Sequence, residues 1–478
     1  MTRVLSPLLA WHASLSKQPF MAAAMQRIPV SLSWAAHDRR TQGPASQRTL
    51  TTSQVAPVIV ARPTRALSDD KVDIIVENLQ PNQPVTLYAM LMTEQKKLFE
   101  SFAHYVSNKD GTVQVAEDES LGGSYTGCEP MGFIWSLTTA PETPSGLRVR
   151  KEDVTTPFIV HVSVFDGHVF ERSPNKTALA VIEVERWFMA PGVKRVKVRQ
   201  NGIVGTLFLP PGPGPFPGVM ELWGGAGGLN EFRAALLASH GFATLVVAYT
   251  NHPDLPYPNY YIGVSDDYFQ EAFHFLQNHH QIAKDRTGIL GHCIGQYIAL
   301  RMEIDMPNIR PRCIVGINGG HYWPVDGKTG YIFEIITKKL MNTQQYTEDN
   351  PLCMKPFMTH LLNKPSCHLD VGKIRCPILL FSSEDDQAFA AKETSLDIER
   401  KMKLAGNSHL LTRVTYPKTG HLIEPPFAPV TPVSFSPIPG IEDKVWLAWG
   451  GEKRSHAHAQ DDLWQRTLSF LNQHLVLS

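Results

Sequence analysis

The pentapeptide Gly291-His292-Cys293-Ile294-Gly295 constrains this chain more than any other stretch. It follows the apolar run Gly288-Ile289-Leu290 and precedes the helix-compatible stretch Gln296 to Met302. A small-x-nucleophile-x-small sequence between a strand and a helix makes a sharp turn that lifts the central side chain clear of the sheet. The flanking positions need glycine, because a Cβ there would collide with the neighbouring strand or helix. Cys293 sits at the start of the helix, where the dipole and free amides stabilise a thiolate. A thiolate so placed attacks a carbonyl carbon. The bland reading, a buried structural cysteine, leaves the two glycines unexplained.

Such a nucleophile needs a base, an acid and an oxyanion site. The base is expected late in the chain, on a loop after a strand. Of 19 histidines, His421 in Tyr416-Pro-Lys-Thr-Gly-His421 is placed best, just after the apolar run Leu411 to Thr415. The acid should lie between nucleophile and histidine in chain order. The run Ile378 to Phe381 ends in Ser382-Ser-Glu-Asp-Asp386. Asp386 is the choice, with Asp385 as competitor and Glu384 third; a cluster of helix-capping acids is the bland reading. The tetrahedral oxygen needs two backbone amides. One is expected from Ile294. The other is expected from the loop Trp223-Gly-Gly-Ala-Gly-Gly228, at Gly224 or Gly225.

The surrounding pattern supports that placement. From Val58 to about Arg186, short alternating segments such as Val72–Val76, Val85–Leu91 and Phe158–Val164 are separated by Asn, Asp, Gly and Pro, which reads as a β-sandwich. After Ala190-Pro-Gly192 apolar strands alternate with helical stretches, which argues a mostly parallel sheet covered on both faces. The expected architecture is an all-β sandwich N-terminal domain (55–190) followed by an α/β-hydrolase catalytic domain (191–478), with the boundary near Trp187 to Lys194.

Composition removes other classes. Lys plus Arg equals Asp plus Glu at 45 each, so no net charge argues for nucleic acid or an anionic membrane. No apolar run approaches the about 18 residues of a membrane span. The six cysteines lack CxxC spacing and read as reduced thiols. His456 and His458, spaced as His-x-His, have no acidic or cysteine companions, so no metal is expected; no cofactor is expected either. His279, His280 and His321 read as surface or helix-end residues. The basic run Lys194 to Arg199 reads as the solvated face of a strand, with phosphate binding as the sharper alternative. Residues 1–54 carry Arg3, Lys17, Arg27, Arg39, Arg40 and Arg48 against one acid, Asp38, the composition of a mitochondrial transit peptide. The expected location is the mitochondrial matrix, with cytosol or peroxisome as alternatives; Leu475-Val-Leu-Ser478 does not match a peroxisomal signal.

Several longer strings carry a resemblance. Leu121-Gly-Gly-Ser-Tyr-Thr-Gly-Cys-Glu-Pro-Met-Gly-Phe-Ile-Trp135, Gly205-Thr-Leu-Phe-Leu-Pro-Pro211, Gly420-His-Leu-Ile-Glu-Pro-Pro426 and Trp449-Gly-Gly-Glu452 resemble the type I acyl-CoA thioesterases and their relatives, the bile acid-CoA:amino acid N-acyltransferases. The resemblance covers nearly everything after residue 57. It implies the same two-domain architecture, an acyl-CoA substrate, and a triad of Cys293, Asp386 and His421. Two departures stand out. The thioesterases usually carry serine as nucleophile where the bile-acid enzymes carry cysteine, and many relatives have lysine where this chain has Ile294. The segment Asn318 to Pro365, expected to shape the acyl pocket, follows the family poorly.

The resemblance leaves two activities. Transfer from CoA to Cys293 exchanges one thioester for another, and the activated acyl-enzyme prefers an amine to water. Cysteine thus favours glycine or taurine as acceptor, whereas the presequence favours the mitochondrial thioesterases. The expectation is acyl-CoA hydrolysis, with N-acyl transfer as its alternative. A dienelactone-type hydrolase, or a non-catalytic acyl-CoA-binding relative, is more remote.

Overall fold

Alternation of apolar and polar side chains organises the first half of the described chain. The computed structural model describes residues 55–170, 176–225, 227–256, 264–323, 345–437 and 444–477. The proposed presequence, residues 1–54, and much of the expected acyl-pocket segment lie outside them. Residues 55–478 form one compact unit. Strands β1 (Val58–Arg62), β2 (Arg65–Leu67), β3 (Asp73–Glu77), β4 (Pro84–Met92), β5 (Leu98–Val106), β6 (Val113–Gln114), β7 (Thr138–Thr139), β8 (Phe158–Asp166) and β9 (Ala180–Trp187) build two sheets, ordered β2-β9-β8-β4-β5-β7 and β1-β3-β6. In β3, Ile74 and Val76 turn inward while Asp73, Ile75 and Glu77 do not, the period of two of a half-buried strand. The inward faces of both sheets share one core containing Ile59, Ile74, Val76, Leu87, Val162 and Val184. A single turn of helix, α1 (Gly132–Trp135), is buried against it. This is the all-β sandwich.

The second half changes period and burial together. Strands β10 (Lys194–Val198), β11 (Gly205–Leu209), β12 (Phe216–Leu222), β13 (Ala243–Val247), β14 (Ile282–His292), β15 (Ile314–Ile317), β16 (Ile378–Ser383) and β17 (Leu411–Tyr416) form one sheet, ordered β10-β11-β13-β12-β14-β15-β16-β17. From β13 onward the pairs are parallel; β10 and β11 run antiparallel at one edge. β11, β13, β15 and β16 are buried at every residue, because helices cover both faces. On one face α2 (Phe232–Ser239) shares a core with Phe188 from the sandwich end of the chain. On the other, α3 (Asp266–Asn278) and α4 (Ile294–Asp305) pack around Phe273, Leu276 and Leu300. This is an α/β-hydrolase sheet, and its parallel strands deliver their following loops to a single edge.

Three further α-helices, α5 (Lys355–Leu362), α6 (Ala391–Ala405) and α7 (Lys453–Leu475), complete the described α-helices of this half. A hairpin, β18 (Val433–Pro437) with β19 (Lys444–Ala448), follows the His421 loop. Two differences from the sequence reading have local causes. β14 begins at Ile282 rather than Gly288, because exposed Lys284 and Asp285 break its apolar pattern. The run Lys194–Val198 is the exposed edge strand, with Arg195 bonded to Glu231 at 2.6 Å and Arg199 to Asp254 at 2.8 Å, so it is a solvated face.

Candidate active site

Cys293 occupies a backbone conformation that few residues tolerate, φ +58° and ψ −120°, between the end of β14 and the first turn of α4. Two close approaches enforce the turn. A Cβ on Gly291 would lie 2.3 Å from the Gly295 carbonyl oxygen, and one on Gly295 would lie 2.1 Å from that of Leu222. Both positions therefore exclude any side chain, as the spacing of the glycines requires. The Cys293 N–H donates to Ile317 O at 2.8 Å, pinning the turn to β15. The thiol-bearing residue is half-buried, whereas Ile294 beside it is buried.

Asp386 and His421 are brought together. His421 Nδ1 donates to Asp386 Oδ2 at 2.8 Å, and both residues are buried. Asp386 Oδ1 accepts from the N–H groups of Ala388 and Phe389 at 2.9 and 2.7 Å, which fixes the carboxylate's orientation. With Nδ1 so engaged, Nε2 is the nitrogen left for proton transfer. Burial works against a charged imidazole, but Asp386 and then Cys293 outweigh it and raise the His421 pKa to about 10.

The competing acids face elsewhere. Asp385 Oδ2 accepts from the Gly451 N–H at 2.8 Å, and its Oδ1 accepts from Gln387 Nε2 at 2.6 Å, so Asp385 ties down the loop after β19. Glu384 pairs with Lys392 at 2.9 Å on the surface. Of the two loop glycines, Gly224 lies against the nucleophile. A Cβ on it would sit 3.0 Å from Cys293 Cβ and 3.6 Å from Sγ. Gly225 follows in the same turn. Ile294, as the first residue of α4, has an amide without an intrahelical acceptor.

Two residues that the sequence reading missed hold the constellation. Asn318, buried at the end of β15 with φ +47°, donates from Nδ2 to Ser383 Oγ, Gly420 O and His421 O at 2.9, 3.2 and 2.9 Å. Its Oδ1 accepts from the Ser383 N–H at 2.8 Å. One amide thus ties the strand before Asp386 to the loop carrying His421. His292, just before the nucleophile, donates from Nε2 to His421 O at 3.0 Å, and burial holds it neutral. The only sequence signal for Asn318 is its place at the end of an apolar strand. Beneath the glycine loop, Arg233 pairs with buried Glu221 at 3.5 Å and donates to Ile423 O at 3.2 Å. Burial pushes Glu221 up to about 7 against the pull of Arg233.

The remaining histidines separate. His456 is buried, its Nδ1 accepting from the Gly420 N–H at 3.1 Å and its Nε2 donating to Leu422 O at 2.9 Å. His458 turns to Glu129 at 2.9 Å. His321 is a correction: it is fully buried, not at the surface. It gathers with His368 and Asp397 in a group that could hold a metal ion, but the Lys401 ammonium lies 3.0 Å from His321 Nε2 and 2.9 Å from Asp397 Oδ2, where a cation would sit. All six cysteines are free thiols, and burial pushes Cys313 up to about 12. Among the described residues no helix is long and apolar enough to cross a membrane.

Two family models match the chain. The family described as "Acyl-CoA thioester hydrolase/BAAT N-terminal region" matches residues 69–200, and "BAAT / Acyl-CoA thioester hydrolase C terminal" matches residues 264–477. The chain is 37% identical to the mouse protein named bile acid-CoA:amino acid N-acyltransferase, over 87% of this chain and 98% of that one. It is 35% identical to mouse acyl-coenzyme A thioesterase 3, over 88% and 95%. It is also 35% identical to mouse acyl-coenzyme A thioesterase 2, mitochondrial, over 86% and 88%.

Proposed function

Because this chain belongs to the acyl-CoA thioester hydrolase/bile acid-CoA:amino acid N-acyltransferase family, we propose that it hydrolyses acyl-CoA thioesters through an acyl-cysteine intermediate on Cys293. The observation that carries this is the buried bond of His421 to Asp386 at 2.8 Å, with Cys293 near enough to help raise the His421 pKa. In the first step the Cys293 sulfur, its proton passed to His421 Nε2, attacks the thioester carbonyl carbon. The tetrahedral oxygen is received by the amides of Ile294 and of Gly224 or Gly225. The C–S bond to CoA breaks, and His421 gives its proton to the departing thiolate. In the second step His421 takes a proton from water as it attacks the acyl-cysteine, the acid is released, and Cys293 is restored. Asp386 holds the imidazole in the tautomer both steps need.

A second acceptor is favoured by one observation, the identity of the nucleophile. An acyl-cysteine is a thioester and reacts more readily with an amine than an ester does, so glycine or taurine is the alternative acceptor. Water is placed first because residues 1–54 have the make-up of a mitochondrial presequence and two thioesterase relatives are named as mitochondrial. Another relative is named as peroxisomal, and the matrix assignment is part of this proposal.

The test incubates purified protein with palmitoyl-CoA and with a bile-acyl-CoA, each with and without glycine or taurine, and identifies products by mass spectrometry. Free acid as the product in every mixture supports hydrolysis. N-acyl glycine or taurine as the main product makes the protein a transferase. No CoA release from any substrate overturns both.

A further inference from the structure

The edge of the hydrolase sheet opposite the nucleophile gathers positive charge. β14, β15 and β16 run parallel and adjacent, so their starts lie side by side as their ends do. A groove of about 690 Å³, open to solvent, lies across those starts. Its size falls in the range of small-molecule sites, but its lining is charged rather than apolar. Lys284 comes from the start of β14, Arg310 and Arg312 from the approach to β15, and Arg375 from the approach to β16. His474, near the end of α7, lines it too. Among the described residues Asp285 is the one acid on the lining.

This excess is not the background of the chain, whose Lys and Arg equal its Asp and Glu at 45 each. Arg375 has its counter-charge: it donates to Glu303 Oε1 at 3.2 Å and to Glu303 O at 2.9 Å. The other three do not. Among the described residues no carboxylate lies within ion-pair distance of Lys284, Arg310 or Arg312, and Arg310 donates only to the adjacent Ile309 O, at 2.7 Å. All three residues are exposed, so their charged ends are open to a solute in the groove. The backbone beneath them is held. Arg312 N–H donates to Thr287 O at 2.6 Å, and Pro311 fixes φ between the two arginines. The register of β14 against β12 shifts between Phe216 and Gly218, and the extra residues of β14 include Lys284. His474 reports the resulting field: burial first, and then Arg312, lower its pKa. Neighbouring strands lie about 4.8 Å apart, so cations at their starts suit an anion with several charged oxygens in a row. Guanidinium groups take phosphate oxygens in pairs, and a lysine adds a point charge.

We propose that this groove binds a diphosphate group on Lys284, Arg310 and Arg312, at a site separate from the catalytic one. Arg312 precedes β15, and Ile317 at the far end of that strand is the register partner of His292, so on the order of 15 Å of strand separates groove from nucleophile. Coenzyme A, which thioester hydrolysis releases, carries such a group; that link rests on the function proposed above, whereas the binding does not.

The test uses the full chain and inorganic diphosphate as probe, with titration calorimetry. One equivalent is expected to bind, more weakly as salt rises, because exposed charges are screened. The double variant Arg310→Gln with Arg312→Gln should weaken it at least tenfold, and Asp285→Asn should tighten it. All three residues are exposed, so these changes leave the fold intact. Adenosine diphosphate as a second probe separates the sources of the group: equal affinity assigns the groove to the bare anion, and tighter binding assigns it to a nucleotide that carries one. Arg400→Gln removes the same charge from exposed α6 and is the control. The proposal is overturned by absence of binding, by a double variant that binds like the parent, or by an equal loss in Arg400→Gln. Loss of diphosphate binding on alkylating Cys293 with iodoacetamide also overturns it, because the probe then sits at the catalytic edge. Capture by anionic vesicles without binding of soluble diphosphate assigns the patch to a membrane surface and overturns it as well. Diphosphate binding in a protein that releases no CoA from any acyl-CoA refutes the functional reading alone.

Discussion

Replacing Asp386 by Asn tests the site where its logic is narrowest. Asp386 Oδ1 receives two backbone N–H groups, and an Asn carbonyl oxygen in that place keeps both. The Asn amide then points N–H groups at His421 Nδ1. That nitrogen must accept rather than donate, so the ring proton moves to Nε2 and faces Cys293. A base already protonated at the working nitrogen cannot take the proton of the attacking water. The wrong tautomer costs roughly 10⁴ in kcat, about 5.5 kcal/mol of transition-state stabilisation. The loss of a buried charge also removes the largest influence that raises the His421 pKa. The assay is initial CoA-thiol release at saturating acyl-CoA, with circular dichroism confirming the fold. Asp385→Asn is the matched control. It weakens the hold on Gly451 and leaves His421 untouched, so kcat stays within about tenfold. An Asp386→Asn enzyme within tenfold of the parent, or a larger loss at Asp385, would refute the assignment.

Three other outcomes follow from the geometry. Asn318→Ala removes the donor shared by Ser383, Gly420 and His421, and should lower stability by about 2–4 kcal/mol in denaturant unfolding, with kcat falling more than KM changes. Arg233→Leu leaves Glu221 buried without its partner and should cost about 3–5 kcal/mol, much of it restored in the double variant with Glu221→Gln. The His421 pKa is raised in the folded protein, so its stabilising contribution is complete below about pH 6.5 and fades as pH climbs toward 10. Unfolding measured across that window should show a decline that His421→Gln abolishes.

The parts of the site that obey local rules are legible in the amino-acid sequence. The elbow declares itself because steric crowding demands glycine at two fixed offsets from Cys293. His421 and Asp386 follow from chain order and from strands that end at one sheet edge. The choice between Asp385 and Asp386 is open in sequence, because adjacent acids differ only in which way the turn faces them. Asn318 and Arg233 are invisible there for another reason. The partners of Asn318 lie 65 to 103 residues away and the carbonyl that Arg233 reaches lies 190 away, and no local pattern encodes an amide that joins two loops. The apolar pattern reveals only the second half of β14, because its charged N-terminal residues are solvated on a strand that is otherwise buried. His321 escapes the pattern because a histidine whose Nε2 meets Lys401 and Asp397 resembles, in sequence, one that meets water.

The segment after His421 does not stay with its own half. Phe427 and Val430 are buried in the sandwich core, Val430 N–H donates to Trp135 O at 3.0 Å, and Arg148 of the sandwich half holds Glu424. The base is therefore strung between two anchorages, the sheet that bears Cys293 and the core of the other half. Excising the first half would leave Phe427 and Val430 bare and Glu424 without its partner, with the imidazole hanging on a slack rope. The region before residue 190 acts as a buttress for the chemistry, and a library that diversifies its inner face is also, unintentionally, a library of active-site variants.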